Sequence, residues 1–409
     1  MMLSSSLLMS EGRRICVRRY TAISLAATMV MLVVTPSFAT NGMNMIGYGA
    51  VSSGMGGADL AVVDNASAMN INPAGICSCE GPQASIGTSA LMPTIHHQDT
   101  VNDLDSKKQI FPLPLATYAT PVEGTPLTFG LGLFAQGGMG VDYERQFFGP
   151  GGADQVYSNV GYMKVTPTLA WQSRDTRLKL GASLNIGQVT SDIEYLPNTV
   201  GFKANDLTAY GYGARLGFQY RIDDLVIGGA WLSKTKLNFK NGNLVLASDP
   251  STRLETEMDG FDWPQQVGLG MAYNFGYAFR LAFDVDWVEW SQAVDTVKID
   301  GLPYNFAMDW EDQWVFAVGA EWEFANGWLA RLGYNHGDSP VPNATLSPLF
   351  PAIIEDHGTI GFGYRARSWQ VDVAYEHGFE AEQTNPAPAS GVTETHEQNT
   401  AHMMLTWYY

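Results

Sequence analysis

Hydrophobic and polar residues alternate along much of this chain with a period of two, the spacing that sends successive side chains to opposite faces of a β-strand. From 313 to 324 one face reads Trp314, Phe316, Val318, Ala320, Trp322 and Phe324, and the other reads Gln313, Val315, Ala317, Gly319, Glu321 and Glu323. The pattern recurs as Phe279, Leu281, Phe283, Val285 and Trp287 against Arg280, Ala282, Asp284 and Asp286, with Trp290 intruding on the polar side. It returns in Leu178, Leu180, Ala182, Leu184 and Ile186, and again in Trp369, Val371, Val373 and Tyr375. Each run predicts a strand with one greasy face. After residue 40 no apolar run approaches the roughly 18 residues that suggest a membrane-spanning helix.

Connections between these strands fall into two length classes. Tight ones carry turn residues at Glu123-Gly124, Arg174-Asp175, Asp223-Asp224, Phe275-Gly276-Tyr277, Asn326-Gly327 and Arg367-Ser368. Between them lie long polar stretches around 139–159, 241–260, 339–356 and 381–397, rich in Gly, Pro, Asp, Asn and Thr. The six hairpins, with one strand before the first long loop and one after the last, predict about fourteen antiparallel strands. Short turns on one rim, long loops on the other and aromatic-rich strands are the signature of an outer-membrane barrel, whose closure pairs every backbone group without an edge. The chain end fits: Met403, Leu405, Trp407 and Tyr409 share the lipid-facing register. The expected fold class is therefore an all-β transmembrane barrel. A soluble β-sandwich would alternate too, but has little reason to place so many Trp and Tyr near strand ends.

The N-terminus changes the picture. Arg13, Arg14, Arg18 and Arg19 precede an apolar stretch from Ile23 to Val34, then Ser37-Phe38-Ala39, which reads as a secretory leader over 1–39. Its removal deepens the formal net charge from −18 to −21. So acidic a chain, with no basic stripe after residue 20, excludes nucleic acid as a partner. Only Cys77 and Cys79 remain as thiols, too few for a disulfide scaffold or a four-ligand zinc site. His96-His97 has no third ligand nearby, and Asp284 with Asp286 falls on the lumen face, where solvated acids are expected. No Ser/His/acid motif suggests an enzyme, and no cofactor or metal is expected.

Residues 40–80 do not read as strands. They are rich in Gly, Ala, Met and Asn, with short helical possibilities at 57–63 and 65–70 that Pro73 and Gly75 would stop. Too small to bury its own core, this segment needs a container, and a fourteen-stranded lumen is wide enough. The expected division is a leader over 1–39, a plug over 40–80 and a barrel over 81–409.

Here the sequence resembles the FadL family of outer-membrane transporters for long-chain fatty acids and hydrocarbons. The likeness begins with Gly47-Tyr48-Gly49-Ala50 and Gly54-Met55-Gly56-Gly57-Ala58 and peaks at Asn72-Pro73-Ala74-Gly75. It continues through Gln136-Gly137-Gly138-Met139-Gly140, the strand from Asp284 to Ser291, Gly333-Tyr334-Asn335, Ser339-Pro340-Val341-Pro342 and Gly361-Phe362-Gly363-Tyr364-Arg365. The resemblance implies a fourteen-stranded barrel closed by a helical plug in the outer membrane of a Gram-negative bacterium. It implies passive uptake of long-chain fatty acids or similar hydrophobic compounds, gated by the plug, with a lateral exit through the wall. An aromatic-hydrocarbon channel of the same fold, a general porin and an adhesin barrel are the alternatives.

On this reading Asn72, Pro73 and Ala74 hold the plug in register, the alternative being that they only end a helix. Gly54, Gly56 and Gly57 let the backbone approach the wall or take positive φ. Gly137 and Gly138 mark a wall kink, or an ordinary bulge. Phe147, Phe148, Leu349 and Phe350, with Leu346, Ile353 and Ile354, are candidate ligand contacts in a hydrophobic landing site on the loops. Arg145, Lys203 and Lys236 are available for a carboxylate. The loop near 196–205 is short where family members often carry a long helical one. Expected partners are the hydrophobic ligand, outer-membrane lipid and lipopolysaccharide, and the outer-membrane assembly machinery.

Overall fold

A computed structural model describes residues 41–387 and 391–409; the predicted leader lies outside the described residues. Fourteen staves form one closed antiparallel wall. They are β1 (Gln83–Gln98), β2 (Phe111–Pro121), β3 (Leu127–Asp142), β4 (Val156–Gln172), β5 (Leu178–Tyr195) and β6 (Phe202–Ile222). Three broken staves follow: β7 (Leu225–Leu232 and Phe239–Leu246), β8 (Asp249–Phe261 and Gln266–Phe275) and β9 (Phe279–Val288 and Val294–Ile299). The last five are β10 (Gln313–Ala325), β11 (Trp328–Gly337), β12 (Asp356–Arg365), β13 (Trp369–Thr384) and β14 (Thr393–Tyr408). Closure is complete along β1, which pairs with β14 from Gln83↔Tyr408 to Gln98↔Thr393. No sheet edge remains for lipid to meet along this seam.

The alternation sorts side chains as expected. Trp314, Phe316, Val318, Trp322 and Phe324 on β10 face outward and are exposed, while Gln313, Val315 and Ala317 are buried inside. All six tight turns join staves at one rim, and Gly327 in the Asn326-Gly327 turn takes φ 77°.

Two of the long polar stretches are not loops. Residues 241–260 form most of a hairpin, Phe239–Leu246 against Asp249–Phe261, which pairs onward with β6 and β9. Likewise β13 runs to Thr384 and β14 starts at Thr393, so only 385–392 of the stretch 381–397 connects them. Above the membrane both faces of a strand meet water, so polar composition there does not end pairing. The stretch 339–356 is a loop, between β11 and β12, and it folds inward: Leu346, Leu349, Phe350, Ile353 and Ile354 are all buried.

Residues 41–82 occupy the lumen. Their one α-helix, α1 (Ala50–Gly54), precedes the position expected. The stretch 57–63 is not helical, because Gly56 and Gly57 take φ 67° and 79°, a left-handed bend incompatible with a right-handed helix. The second expectation fares better, as a 3-10 turn at Ala66–Asn70 with Asn65 as its N-cap. Pro73 starts rather than stops a turn: it is the first residue of a 3-10 helix, Pro73–Ser78, where its missing N–H leaves nothing unsatisfied.

Candidate functional site: the plugged lumen

The plug has too little apolar surface to hold itself, and wall side chains satisfy its backbone instead. Asp284 on β9 accepts from the backbone N–H groups of Asp59 (2.6 Å) and Leu60 (2.8 Å). Asn335 donates to the Gly56 carbonyl (3.0 Å), Thr359 to Gly54 (3.1 Å), Gln219 to Val63 (3.1 Å) and Arg215 to Ile71 (2.5 Å). Asp284 is fully buried, so it is a clamp on the plug and not the solvated acid expected from the sequence. Its inward register was legible; the backbone groups it would meet were not.

Asn72 joins three elements. Its Oδ1 caps Ala74 N–H (3.2 Å), while its Nδ2 donates to Leu60 O (2.7 Å) and, across the lumen interface, to Phe218 O of β6 (2.8 Å). Pro73 and Ala74 lie against Gly181 of β5, where a Cβ would come within 2.3 Å of the Pro73 carbonyl carbon. Gly54 meets Gly361 and Gly56 meets Gly333 in the same manner. Asn72→Ala is expected to lower the unfolding free energy by about 2 kcal/mol, since buried carbonyls lose their donors. Urea titration of the folded, heat-modifiable band checks it; an unchanged midpoint would show that water replaces the amide without loss.

Gly137 and Gly138 sit at an irregularity in the wall. The β2–β3 ladder ends at Leu115↔Phe134, and between Ala135 and Gly137 the β3–β4 register slips by one residue. Gln136 is the extra residue, turned inward and fully buried. The plug's beginning takes over as neighbour: Asn44 bridges Gly137, and Gly138 N–H donates to Met43 O (3.1 Å). Gln136 ties the junction, its amide donating to Asn44 Oδ1 (3.1 Å) and accepting from Asn70 (3.2 Å).

Above the plug the lumen is apolar and aromatic. Trp310, Trp290, Trp263 and Tyr162 form a line of edge-to-face rings with centroid separations of 5.1, 6.2 and 5.0 Å. Trp263 donates to Asn44 Oδ1 (2.8 Å) and Tyr162 pairs with Gly137, so this line ends at the wall irregularity. Phe350 packs on Phe261, and Phe147 stacks on His97, whose Nδ1 lies 2.5 Å from Glu394. Of the apolar loop residues singled out from the sequence only Phe148 is exposed; the others are buried and make no outer landing surface. Arg145 and Lys236 are exposed and Lys203 pairs with Glu194, so none of the three enters the core. Besides Arg331 of β11, the buried Lys and Arg side chains among the described residues are Lys164 of β4 and Arg215 of β6. Sequence reasoning missed both, although Lys164 follows Ser158, Val160 and Tyr162 in the inward register.

The sequence profile of a family described as outer membrane protein transport protein (OMPP1/FadL/TodX) matches residues 29–402. The chain belongs to this family. Solved FadL/TodX-family barrels share its fold: the Pseudomonas putida toluene transporter TodX (TM-score 0.75, 21% identity, 89% of this chain and 99% of that one) and a Pseudomonas aeruginosa FadL homologue (0.74, 17%, 90% and 99%). The Ralstonia pickettii toluene transporter TbuX is similar too (0.71, 20%, 89% and 98%). An uncharacterised Chlorobium limicola protein, from the 5′ region of the phosphoenolpyruvate carboxykinase gene, is 52% identical over 56 residues. That match covers 14% of this chain and 28% of the relative, so the chain spans under a third of that protein's length. As a FadL/TodX-family member the protein is a Gram-negative outer-membrane channel for hydrophobic compounds, and its family and fold are those of transport channels, not enzymes.

Proposed function

We propose that this channel takes up small aromatic hydrocarbons by passive diffusion, with the inward-folded loop 338–355 as outer cover, the plug as gate and the wall irregularity at Gly137 as lateral exit. The observation that carries this reading is the line of rings from Trp310 to Tyr162. To an aromatic solute that parts these rings it offers edge and face contacts along a buried line that ends beside Asn44 and Gly137. Burial supplies the driving force, about 25 cal/mol per Å² of apolar surface removed from water, and no energy input is needed. Two of the similar structures carry the name toluene transporter.

Long-chain fatty acids are the second reading, and Lys164 favours it. This buried lysine makes no ion pair among the described residues, and a carboxylate head would give it one. Uptake of labelled toluene and labelled oleate by cells carrying no copy, the wild type or Lys164→Met separates the two. Toluene uptake well above the no-copy level, unchanged by Lys164→Met, is the expected result. Oleate uptake that the substitution abolishes would shift the assignment to fatty acids. Uptake of neither compound would sink both.

A further inference from the structure

Beneath the plug, at the rim of the six tight turns, lies a cavity of about 1060 Å³ that the transport reading leaves unused. Short turns mark the periplasmic end of an outer-membrane barrel. The ceiling includes apolar residues, among them Val51 and Val62 of the plug and Met404 of β14. Arg174, Arg221, Arg365 and Arg367 stand around the wall and rim. The acids in the same cavity are mostly engaged elsewhere. Glu321 is held by Arg331 at 2.7 Å and flanked by Arg280 at 3.9 Å, Asp64 lies 3.7 Å from Arg280, and Asp59 takes the Ser52 hydroxyl. Glu80 and Asp59 make no ion pair among the described residues, and of these two Asp59 is taken up by Ser52. The four rim arginines likewise make no ion pair among the described residues; Arg365 spends one N–H on Gln370 (2.9 Å).

Composition does not account for this. The chain carries a net charge of −18, yet this cavity gathers positive charge that makes no ion pair among the described residues. Low-dielectric walls around a one-signed cleft focus the field and concentrate the opposite ion. Guanidinium groups suit a carboxylate, which they meet with paired N–H donors. Apolar patches at Val51, Met55, Val62 and Val63 in an otherwise polar ceiling, over a cationic rim, are complementary to a molecule with a hydrocarbon tail and an anionic head, and the volume is at the upper end of what small ligands fill.

We propose that this vestibule is a second binding site, for single-chain amphiphiles with a carboxylate head, bound tail-up against the plug's underside with the head among Arg221, Arg365 and Arg367. The site is separate from the aromatic path above the plug and does not depend on which substrate that path takes. Binding here would couple the plug's lower face to an anion on the periplasmic side.

The test is calorimetric titration of the full barrel in lipid nanodiscs, with empty discs subtracted, using decanoate, decanol and inorganic phosphate as probes. Decanoate is expected to bind saturably, with decanol and phosphate each weaker by about tenfold or more, the difference one charge-assisted contact or one buried tail makes. Arg221→Ser/Arg365→Ser/Arg367→Ser is expected to abolish decanoate binding, and the triple Lys variant to restore it in part. Toluene uptake should be unchanged in the Ser variant, which also reports that the barrel is folded. Equal binding of decanoate and decanol, or decanoate binding that survives the loss of all three arginines, would overturn the proposal. Failure of toluene uptake in the wild type would leave it standing and count only against the reading above.

Discussion

Valine in place of Gly333 is expected to unseat the plug while leaving the barrel closed. A Cβ at 333 would stand 2.2 Å from Gly56 N and 2.3 Å from the Met55 carbonyl carbon. Both are backbone atoms, so no rotamer change relieves the clash. Gly56 cannot turn away locally, because its φ of 67° is set by the bend that brings 54–57 against the wall. Retreat of this segment breaks the bonds from Asn335 to Gly56 and from Thr359 to Gly54. Overpacking of this kind costs about 3 kcal/mol, roughly a hundredfold in the ratio of seated to unseated plug. Single-channel recording in planar bilayers reads it directly, as long-lived ion conductance in Gly333→Val against a largely closed wild type. Gly358→Ala is the control, since its Cβ meets only the Phe379 ring at 3.4 Å. A Gly333→Val protein that stays as closed as the wild type would show that the plug does not need this seat.

Removal of Arg331 should have the largest effect on stability. Arg331 is about 1% exposed and donates from Nε to Glu321 (2.7 Å) and from Nη1 to Asp372 (2.8 Å), directly below the meeting of Gly54 with Gly361. Asp372 is wholly buried and also accepts from Gln370. Methionine at 331 would leave two carboxylates facing each other with little water to solvate them. Breaking a buried ion cluster from one side costs about 3–5 kcal/mol, mainly as the penalty on the charges left behind. Restoring neutrality with Glu321→Gln and Asp372→Asn in the same chain should recover most of that loss. Urea unfolding in lipid vesicles, followed by tryptophan fluorescence, measures both steps. A change below about 1 kcal/mol in Arg331→Met would mean the triad is as solvated as a surface pair.

The membrane tier of the barrel was legible in the sequence, because lipid outside and polar groups inside impose opposite demands on alternate residues. Trp314 to Phe324 and Leu178 to Ile186 carry that demand in full. The legibility stops where the demand stops. From Asp249 to Glu257 nearly every residue is exposed, so the hairpin above the membrane reads as loop although it pairs from Phe239↔Met258 to Leu246↔Asp249, with two register shifts. The plug was visible as a segment lacking strand period, but of its turns only the one at Ala66–Asn70 was. Five or six residues of 3-10 helix carry no amphipathic period, and Asn65 and Asn72 act through caps that only the folded backbone defines. The seat was half visible. Gly54, Gly56 and Gly57 stood out as a cluster, whereas their counterparts Gly319, Gly333 and Gly361 are scattered over three staves. Phe147 and Phe350 were singled out for being apolar in polar surroundings, which is also what brings them indoors.

β7, β8 and β9 each stop and restart, with 233–238, 262–265 and 289–293 between their parts, where the isolated bridge of Thr235 to Trp263 and the backbone bonds from Asp262 to Ala293 and from Glu289 to Gln265 span the gap. Strand register is a matter of parity: one residue gained or lost inside a ladder turns every later side chain from lipid to lumen. In β1 such a change would invert up to 16 positions on a seam paired along its whole length. In 233–238 it would be absorbed before the next ladder starts. The wall is thus two storeys joined by a tolerant landing on one side and continuous on the other, and it is across that landing that chain length is free to vary without turning the barrel inside out.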